Sequence, residues 1–258
     1  ADDRLLPREE PESSQLAAGA FESEGIDVIT GASVSGVESG PDGIRMRSSG
    51  EDGESHDWEG THLLVAVGRS PRTSELGLDS VSVAVSDRGL IEVDRRMRTS
   101  SRDIYAVGDV TGIMPFTHVA AQQARAAAPN AVFGLRTEVD YASVPWVTFT
   151  DPEFARVGLS EGEARSRWGD RARIVQFDYE DLDRAIVDGR PTGFAKLIGD
   201  RKGRLVGATI AAHGGGDAIA EMAAWINQGA GISDISRQVH AYPTMAEGAS
   251  RAADAYVS

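Results

Sequence analysis

A glycine and an aspartate that follow an apolar segment form the strongest chemical pattern in the sequence. Residues 104–107 read Ile-Tyr-Ala-Val and lead directly into Gly108 and Asp109. Glycine lets a backbone approach a ligand closely, and open α/β sheets bind ligands at the carboxyl ends of parallel strands. A carboxylate there can accept hydrogen bonds from sugar-like hydroxyl groups. The same residues also fit an ordinary Gly-Asp turn, so spacing alone leaves both interpretations open.

The histidines and the other glycine-rich segment indicate no second kind of catalytic centre. The five histidines lack the spacing of a metal site, so we predict no bound metal. His213 opens an HGGG sequence like the oxyanion loop of some esterases, but the chain has no G-x-S-x-G nucleophile motif. We therefore interpret this segment as a glycine-rich turn between a strand and a helix.

The elements that position these residues predict an α/β fold in the first half of the chain. Apolar periodicity indicates a helix over 12–24, and alternation indicates a hairpin over 33–47. Residues 48–60 read as a loop, and a helix interrupted by Pro129 is expected over 118–133. A short strand is expected over 26–29. Continuous apolar runs are typical of buried parallel strands, and such runs occur at 62–67 and 104–107.

Beyond about residue 139 the pattern changes to strands and helices without regular βαβ alternation, which predicts an α+β domain. We predict strands near 146–149, 155–158, 173–177, 194–198 and 204–211, and helices over 160–167, 216–228 and 244–255.

Composition limits the classes of function. The 258 residues carry a formal charge of −14 and 41% hydrophobic residues, which argues against a nucleic-acid binder and against a disordered chain. Cysteine is absent, so the chain itself has no disulfide and no thiol nucleophile. No apolar run is long enough for a membrane helix, and the N-terminus lacks the features of a signal peptide. We therefore expect no membrane partner and a cytoplasmic location.

Five segments, in order, resemble the FAD- and NAD(P)H-dependent pyridine nucleotide-disulfide oxidoreductases. One is the Gly-Asp segment TSSRDIYAVGDV, which looks like the second flavin-binding motif of that family. The others are VAVGRSP at 65–71, FTHVA at 116–120, VPWVTFTDPE with VGLSE at 144–161, and YPTMAE at 242–247. The resemblance covers almost the whole chain but includes neither glycine fingerprint and no redox cysteine pair. It implies the C-terminal portion of such an enzyme, similar to mercuric-reductase-like oxidoreductases of unassigned substrate.

The resemblance also implies roles for individual residues. Gly108 and Asp109 would hold the ribityl or pyrophosphate portion of FAD. Thr117, His118 and the backbone of Ala120 would lie near the flavin ring, although His118 also fits a surface histidine at a helix start. Gly68 and Arg69 would border the nicotinamide nucleotide, and Arg69 equally fits a structural ion pair.

The closing motif departs from the dithiol-exchanging members of the family. Those members carry a catalytic histidine before Pro-Thr, oriented by a glutamate, whereas this chain has Tyr242 there and retains Glu247. His240 lies two residues earlier, where the family has no catalytic role. A tyrosine has an ordinary pKa of about 10 and is a poor base near neutrality. We interpret Tyr242 and Glu247 as the catalytic pair, and the tyrosine argues against dithiol–disulfide exchange.

Two functions follow from these observations. In the first, the chain is part of an oxidoreductase that passes a hydride from NAD(P)H to FAD and on to a small-molecule substrate. In the second, it is a non-catalytic dimerisation module that cannot bind FAD by itself. The resemblance divides the chain into the end of an NAD(P)H domain at 1–69, the end of a FAD domain at 70–138, and an interface domain at 139–258 that forms a homodimer.

Overall fold

Two structural units divide the chain in a computed structural model that describes residues 2–41, 43–50 and 55–257. The first unit combines residues 1–64 with 142–258, and the second comprises residues 65–141. The expected division into three domains, with boundaries at 69 and 138, is based on the family resemblance and stays a prediction. Within the described residues, no helix is both long and apolar enough to span a membrane.

A five-stranded antiparallel sheet organises residues 142–258. Its strands lie in the order β4-β5-β8-β7-β6. Their bounds are Pro145–Thr148 (β4), Glu153–Gly158 (β5), Arg173–Asp178 (β6), Phe194–Gly199 (β7) and Leu205–Ala212 (β8). Strand β7 is buried at every position because both of its faces are covered. The five strands predicted in this region are confirmed.

Helices pack on both faces of the sheet. One face carries α4 (Asp183–Val187), α5 (Gly215–Gln228), α6 (Ile232–Arg237) and α7 (Glu247–Val257). On the other face, α3 (Glu161–Trp168) packs through Ala164 against Ile198 of β7. The main core joins β7 residues such as Leu197 to Met222 of α5, Ile235 of α6 and Ala252 of α7. The three predicted helices correspond to α3, α5 and α7, while the short α4 and α6 were not predicted. Elements of five or six residues hold too little periodicity for a sequence pattern to indicate them.

The opposite face of the sheet is covered by the N-terminal segment and α1 (Pro11–Ser23). Ala17 of α1 packs with Phe154 and Phe194 of the sheet. On the same face, the Lys196 ammonium lies 2.6 Å from a Glu12 carboxylate oxygen and 2.9 Å from one of Glu161. Strand β7 therefore directs Leu197 to the main core and places Lys196, beside the apolar Phe194, on the face covered by the N-terminal segment.

A second sheet belongs to the N-terminal part of the first unit. Strands β1 (Ser33–Gly40), β2 (Gly43–Ser49) and β3 (Ser55–Gly60) pair antiparallel in sequence order. The predicted hairpin is confirmed, with Asp42 of its turn outside the described residues. The loop expected over 48–60 is wrong where β3 forms, because Trp58 lies opposite Met46 and its indole N–H donates to Ser48 Oγ at 3.1 Å.

The unit at 65–141 is built around α2 (Thr117–Phe133). Outside α2, its described residues form short 3₁₀ turns and isolated β-bridges, such as Arg98 with Tyr105, and no strand. Two small clusters of buried side chains, one around Met97 and one around Ile91, supply its core.

Three predicted strands and one predicted helix break are wrong in this structure. Residues 26–29 and 62–67 have no strand pairing among the described residues, and Val67 is 91% exposed. Residues 104–107 form only the isolated antiparallel bridge of Tyr105 with Arg98. A parallel strand needs neighbouring strands to satisfy its backbone groups, and the described part of the chain places no parallel strand beside these runs. Pro129 does not interrupt α2, which continues to Phe133 and whose last turn is linked to Thr137 by hydrogen bonds of Asn130.

Candidate functional site

A tight turn presents Asp109 at the surface of the 65–141 unit. The turn Gly108–Thr111 is a single 3₁₀ element that starts at a positive φ of 79°. The Gly108 N–H donates to Gln123 Oε1 at 2.6 Å, and Thr111 Oγ1 donates to the Gly108 carbonyl at 2.9 Å. A Cβ on Gly108 would lie 3.2 Å from Ala120 Cβ. Glycine is therefore required both for the backbone angle and for the close approach to α2.

The Asp109 carboxylate faces solvent beside one guanidinium. Its side chain is 56% exposed, and Oδ2 lies 3.4 Å from Arg69 Nη1, which is 79% exposed. An exposed ion pair of this kind contributes little to stability. Asp109 and Arg69 can therefore separate at little cost, and each can bind a ligand instead. The structure thus brings Arg69, with Gly68 before it at a φ of 112°, to the aspartate predicted to bind a cofactor.

The start of α2 offers backbone donors. Phe116 precedes the helix in an extended conformation, and no side chain caps it. The Ala120 N–H is used within the helix, donating to the Phe116 carbonyl at 3.0 Å. Thr117 therefore begins a 17-residue helix, whose positive end favours electron-rich ligand atoms. The His118 ring stacks on Phe116 with centroids 5.4 Å apart.

Gln123 supports this arrangement and was not predicted. It is fully buried, accepts from the Gly108 N–H, and donates from Nε2 to the Tyr141 hydroxyl at 3.1 Å. It lies one turn after the buried Val119 and shares the buried side of α2. A glutamine on the apolar face of a helix needs buried hydrogen-bond partners, and that sequence signal could have identified it.

The closing motif in the first unit places Tyr242 against an acidic residue distant in sequence. The Tyr242 hydroxyl donates to Asp183 Oδ2 at 2.7 Å, and Tyr242 is 67% exposed. This hydrogen bond and the charge of Asp183 raise the pKa of Tyr242 above its ordinary value. Tyr242 is thereby held as a neutral phenol, which extends the sequence argument that it is a poor base.

Glu247 serves the backbone of the motif rather than the Tyr242 hydroxyl. One carboxylate oxygen accepts from the Thr244 N–H at 3.0 Å, and Thr244 Oγ1 donates to the Ala241 carbonyl at 2.8 Å. Glu247 is 9% exposed at the start of α7. The structure gives no hydrogen bond between Tyr242 and Glu247, so their expected pairing stays a prediction.

His240 is committed to structural contacts. Its Nε2 lies 3.0 Å from a Glu221 oxygen, and its Nδ1 lies 3.0 Å from the Gln238 carbonyl oxygen. Trp225 donates to the same glutamate at 3.0 Å. Both ring nitrogens thus face acceptors of this chain. No cluster of three or more potential metal ligands occurs within the described ranges.

Comparisons with known proteins match nearly the whole chain. The model described as pyridine nucleotide-disulphide oxidoreductase matches residues 1–124, and the dimerisation-domain model of the same name matches residues 144–253. The fold, the Gly-Asp turn and these matches define the class as flavoprotein oxidoreductases with a dimerisation domain. The chain belongs to the pyridine nucleotide-disulphide oxidoreductase family. This family uses FAD and NAD(P)H.

Individual relatives carry different activities. The chain is 36% identical over 246 residues to the dihydrolipoyl dehydrogenase of Staphylococcus aureus, covering 95% of this chain and 52% of that protein. It is 37% identical over 256 residues to the mercuric reductase of Streptomyces lividans, covering 99% and 54%. The chain therefore spans about half the length of the curated relatives it matches.

Solved structures agree. Crystalline LpdA from Mycobacterium tuberculosis has a TM-score of 0.89 and 26% identity, covering 99% of this chain and 55% of that chain. The HOCl-induced flavoprotein disulfide reductase RclA from Escherichia coli has a TM-score of 0.86 and 26% identity, covering 98% and 57%.

Proposed function

We propose that this chain is the C-terminal part of a flavoprotein that passes a hydride from NAD(P)H to FAD and on to a small-molecule substrate. The observation that carries the proposal is the Asp109 turn, fixed on Gln123 in a chain whose family uses FAD. Asp109 offers an exposed carboxylate, and the uncapped start of α2 offers N–H donors. Both features fit a ligand that combines hydroxyl groups with an electron-rich ring, as FAD does.

Each group has a separate task in this proposal. Asp109 accepts hydrogen bonds from ribityl hydroxyls, and the start of α2, with Thr117, His118 and the backbone of Ala120, lies near the flavin ring. Gly68 and Arg69 border the nicotinamide nucleotide. Bound FAD supplies the electron-transfer chemistry. The chain supplies orientation, and Gly108 sets the angle at which the carboxylate meets its ligand.

The substrate is proposed to be a small molecule of the kind handled by mercuric-reductase-like members, and not a dithiol that needs a basic histidine. Tyr242 supports this, because a neutral phenol replaces the acid/base histidine at the closing motif. The family relatives at similar identity include both dihydrolipoyl dehydrogenases and a mercuric reductase. Turnover of the parent enzyme with NADH or NADPH, measured with a disulfide acceptor and with a mercuric acceptor, distinguishes these two substrate classes.

The test of flavin binding compares two aspartates of the same segment in the parent enzyme. Asp109→Ala removes the proposed flavin ligand, whereas Asp103→Ala removes an exposed carboxylate at the other end of residues 104–107. We expect Asp109→Ala to release most FAD during gel filtration and Asp103→Ala to retain it. Equal retention by both variants would contradict the assigned role of Asp109.

A dimerisation module without catalysis is the second candidate. Large apolar side chains are exposed on residues 142–258, including Phe149 at 81%, Val187 at 76% and Val239 at 87%. Such exposure and the dimerisation-domain match favour a homodimer through residues 139–258, with the same patch on both subunits. Light scattering on the purified chain tests this: a dimer is expected, and a strict monomer at micromolar concentration contradicts it. The cytoplasmic location stays a prediction.

A further inference from the structure

We propose that Asp183 is the positioning residue of Tyr242, holding its hydroxyl so that only the lone pairs of the phenol oxygen are offered to the substrate. The inference rests on the proposed function, in which Tyr242 stands at the substrate side. It replaces the expected Glu247 with a carboxylate from a different part of the chain.

The first observation is that an exposed side chain has a fixed hydroxyl. Tyr242 is 67% exposed, yet its Oη lies 2.7 Å from Asp183 Oδ2, across 59 positions of sequence. An exposed tyrosine normally keeps its side-chain freedom, and restricting it costs entropy. A short hydrogen bond to a charged acceptor can offset that cost.

The second observation is that both partners stand on anchored backbone. Asp183 begins α4 between Leu182, which is 2% exposed, and Ala185, which is fully buried in the main core. On the other side, Thr244 ties the backbone after Tyr242 to Ala241 and to Glu247. The carboxylate and the ring are therefore both carried by segments that the core and the motif fix.

The direction of the hydrogen bond decides what Tyr242 can do. A phenol has one donor and two acceptor lone pairs, and the donor is used on Asp183. The charge of Asp183 and, to a lesser degree, that of Glu247 raise the pKa of Tyr242, while Arg251 opposes them. The exposed oxygen remains a neutral acceptor. This oxygen can accept a hydrogen bond from a substrate. It cannot serve as the proton acceptor for a dithiol.

The first test follows the ionisation of Tyr242 in the purified chain by NMR of ring-labelled tyrosine. The chain has five tyrosines, and the signal absent from Tyr242→Phe identifies the one of interest. Asp183→Asn keeps an acceptor oxygen but removes the charge, so we expect the pKa of Tyr242 to fall. Asp181→Asn removes a neighbouring exposed carboxylate without a contact to Tyr242 and is expected to leave the pKa unchanged. An unchanged pKa in Asp183→Asn overturns the proposal.

The second test uses turnover of the parent holoenzyme. Asp183→Ala is expected to lower kcat on the order of tenfold, since small misplacement of a reacting group is costly. Tyr242→Phe should lose a similar factor, and the double variant should lose no more than either alone. Additive losses, or a kcat equal to that of Asp181→Asn, contradict the proposal. Because the titration needs no flavin, it stays readable if the proposed oxidoreductase activity fails.

Discussion

Residues 142–258 and residues 65–141 differ in how they satisfy their backbone. The first region pairs five strands with one another and covers both faces of the sheet, whereas the second has one long helix and only isolated bridges between its described residues. Apolar residues are buried in β7 but exposed at Val65 and Val67. Local pattern predicts a strand correctly only where the chain also supplies the strand's neighbours.

This difference also explains what sequence could predict. The antiparallel strands of 142–258 and helix α1 could be predicted, and each finds its partners within this chain, even where these are distant in sequence, as for β5 and β8. The runs at 62–67 and 104–107 carry an equally clear apolar signal, but parallel pairing depends on distant segments. On the proposed function, we expect those neighbours in the half of the family length that this chain does not span.

The candidate sites divide in the same way. Gly108, Asp109, Arg69 and Tyr242 could be predicted because each stands in a short motif. Gln123 carried only a general signal, a glutamine on the apolar face of a helix, and Asp183 carried none, because each acts through a contact made by folding, across 15 and 59 positions of sequence respectively. A motif thus indicates a candidate ligand-binding group, while the residue that contacts it from elsewhere in the chain is visible only in the fold.

The largest expected effect comes from the closed core. Leu197→Ala removes a fully buried side chain of β7 and should lower the free energy of unfolding by about 2–5 kcal/mol. Val239→Ala, at an 87% exposed position of the same unit, should change it by less than about 0.5 kcal/mol.

Tryptophan fluorescence during urea unfolding measures the stability of both variants and reports on the unit that contains the two substitutions. The four tryptophans are Trp58, Trp146, Trp168 and Trp225, and all lie in residues 1–64 or 142–258. Similar midpoints for the two variants would show that the core of this region is not closed as described.

A smaller effect is expected in the 65–141 unit. Gly108→Ala places a side chain at a φ of 79°, which costs about 1–2 kcal/mol, and brings it against Ala120. Gly134→Ala meets the same strain at a φ of 65° with no atom within 4 Å.

Hydrogen exchange read on peptides from each variant separates strain from contact. We expect Gly108→Ala to increase exchange over residues 104–123 and Gly134→Ala to leave that segment protected. Equal exchange there would mean that the close approach to α2 does not hold the Asp109 turn.

The smallest expected effect on stability comes from the buried carboxyl group of Glu10, near Lys196. Burial raises the pKa of Glu10 above its ordinary value of 4.5, so its contribution to stability is present at low pH and is lost as pH rises through the raised pKa. Glu10→Gln should therefore stabilise the chain by less than about 1 kcal/mol near neutral pH and have no effect in acid.

Glu161 provides the opposite sign. Burial acts to raise its pKa, but hydrogen bonds from Lys196 and Arg165 outweigh burial and lower it. Its contribution is present above the ordinary carboxyl pKa and is lost as pH falls through the lowered value. Glu161→Gln should thus destabilise at neutral pH. Urea unfolding midpoints of Glu10→Gln and Glu161→Gln, measured from acid to neutral pH, check both predictions. Midpoint shifts of the same sign at neutral pH would contradict the opposite pKa shifts of these two carboxyl groups near Lys196.

Flavin binding by the parent enzyme tests the central claim most directly. We would purify it with and without Asp109→Ala, record the visible absorption spectrum with the intact mass, and titrate FAD into any colourless sample. The account predicts a flavin band for the unaltered enzyme and a colourless Asp109→Ala variant that binds FAD weakly. A full-length, folded enzyme that is colourless and does not take up FAD would contradict it.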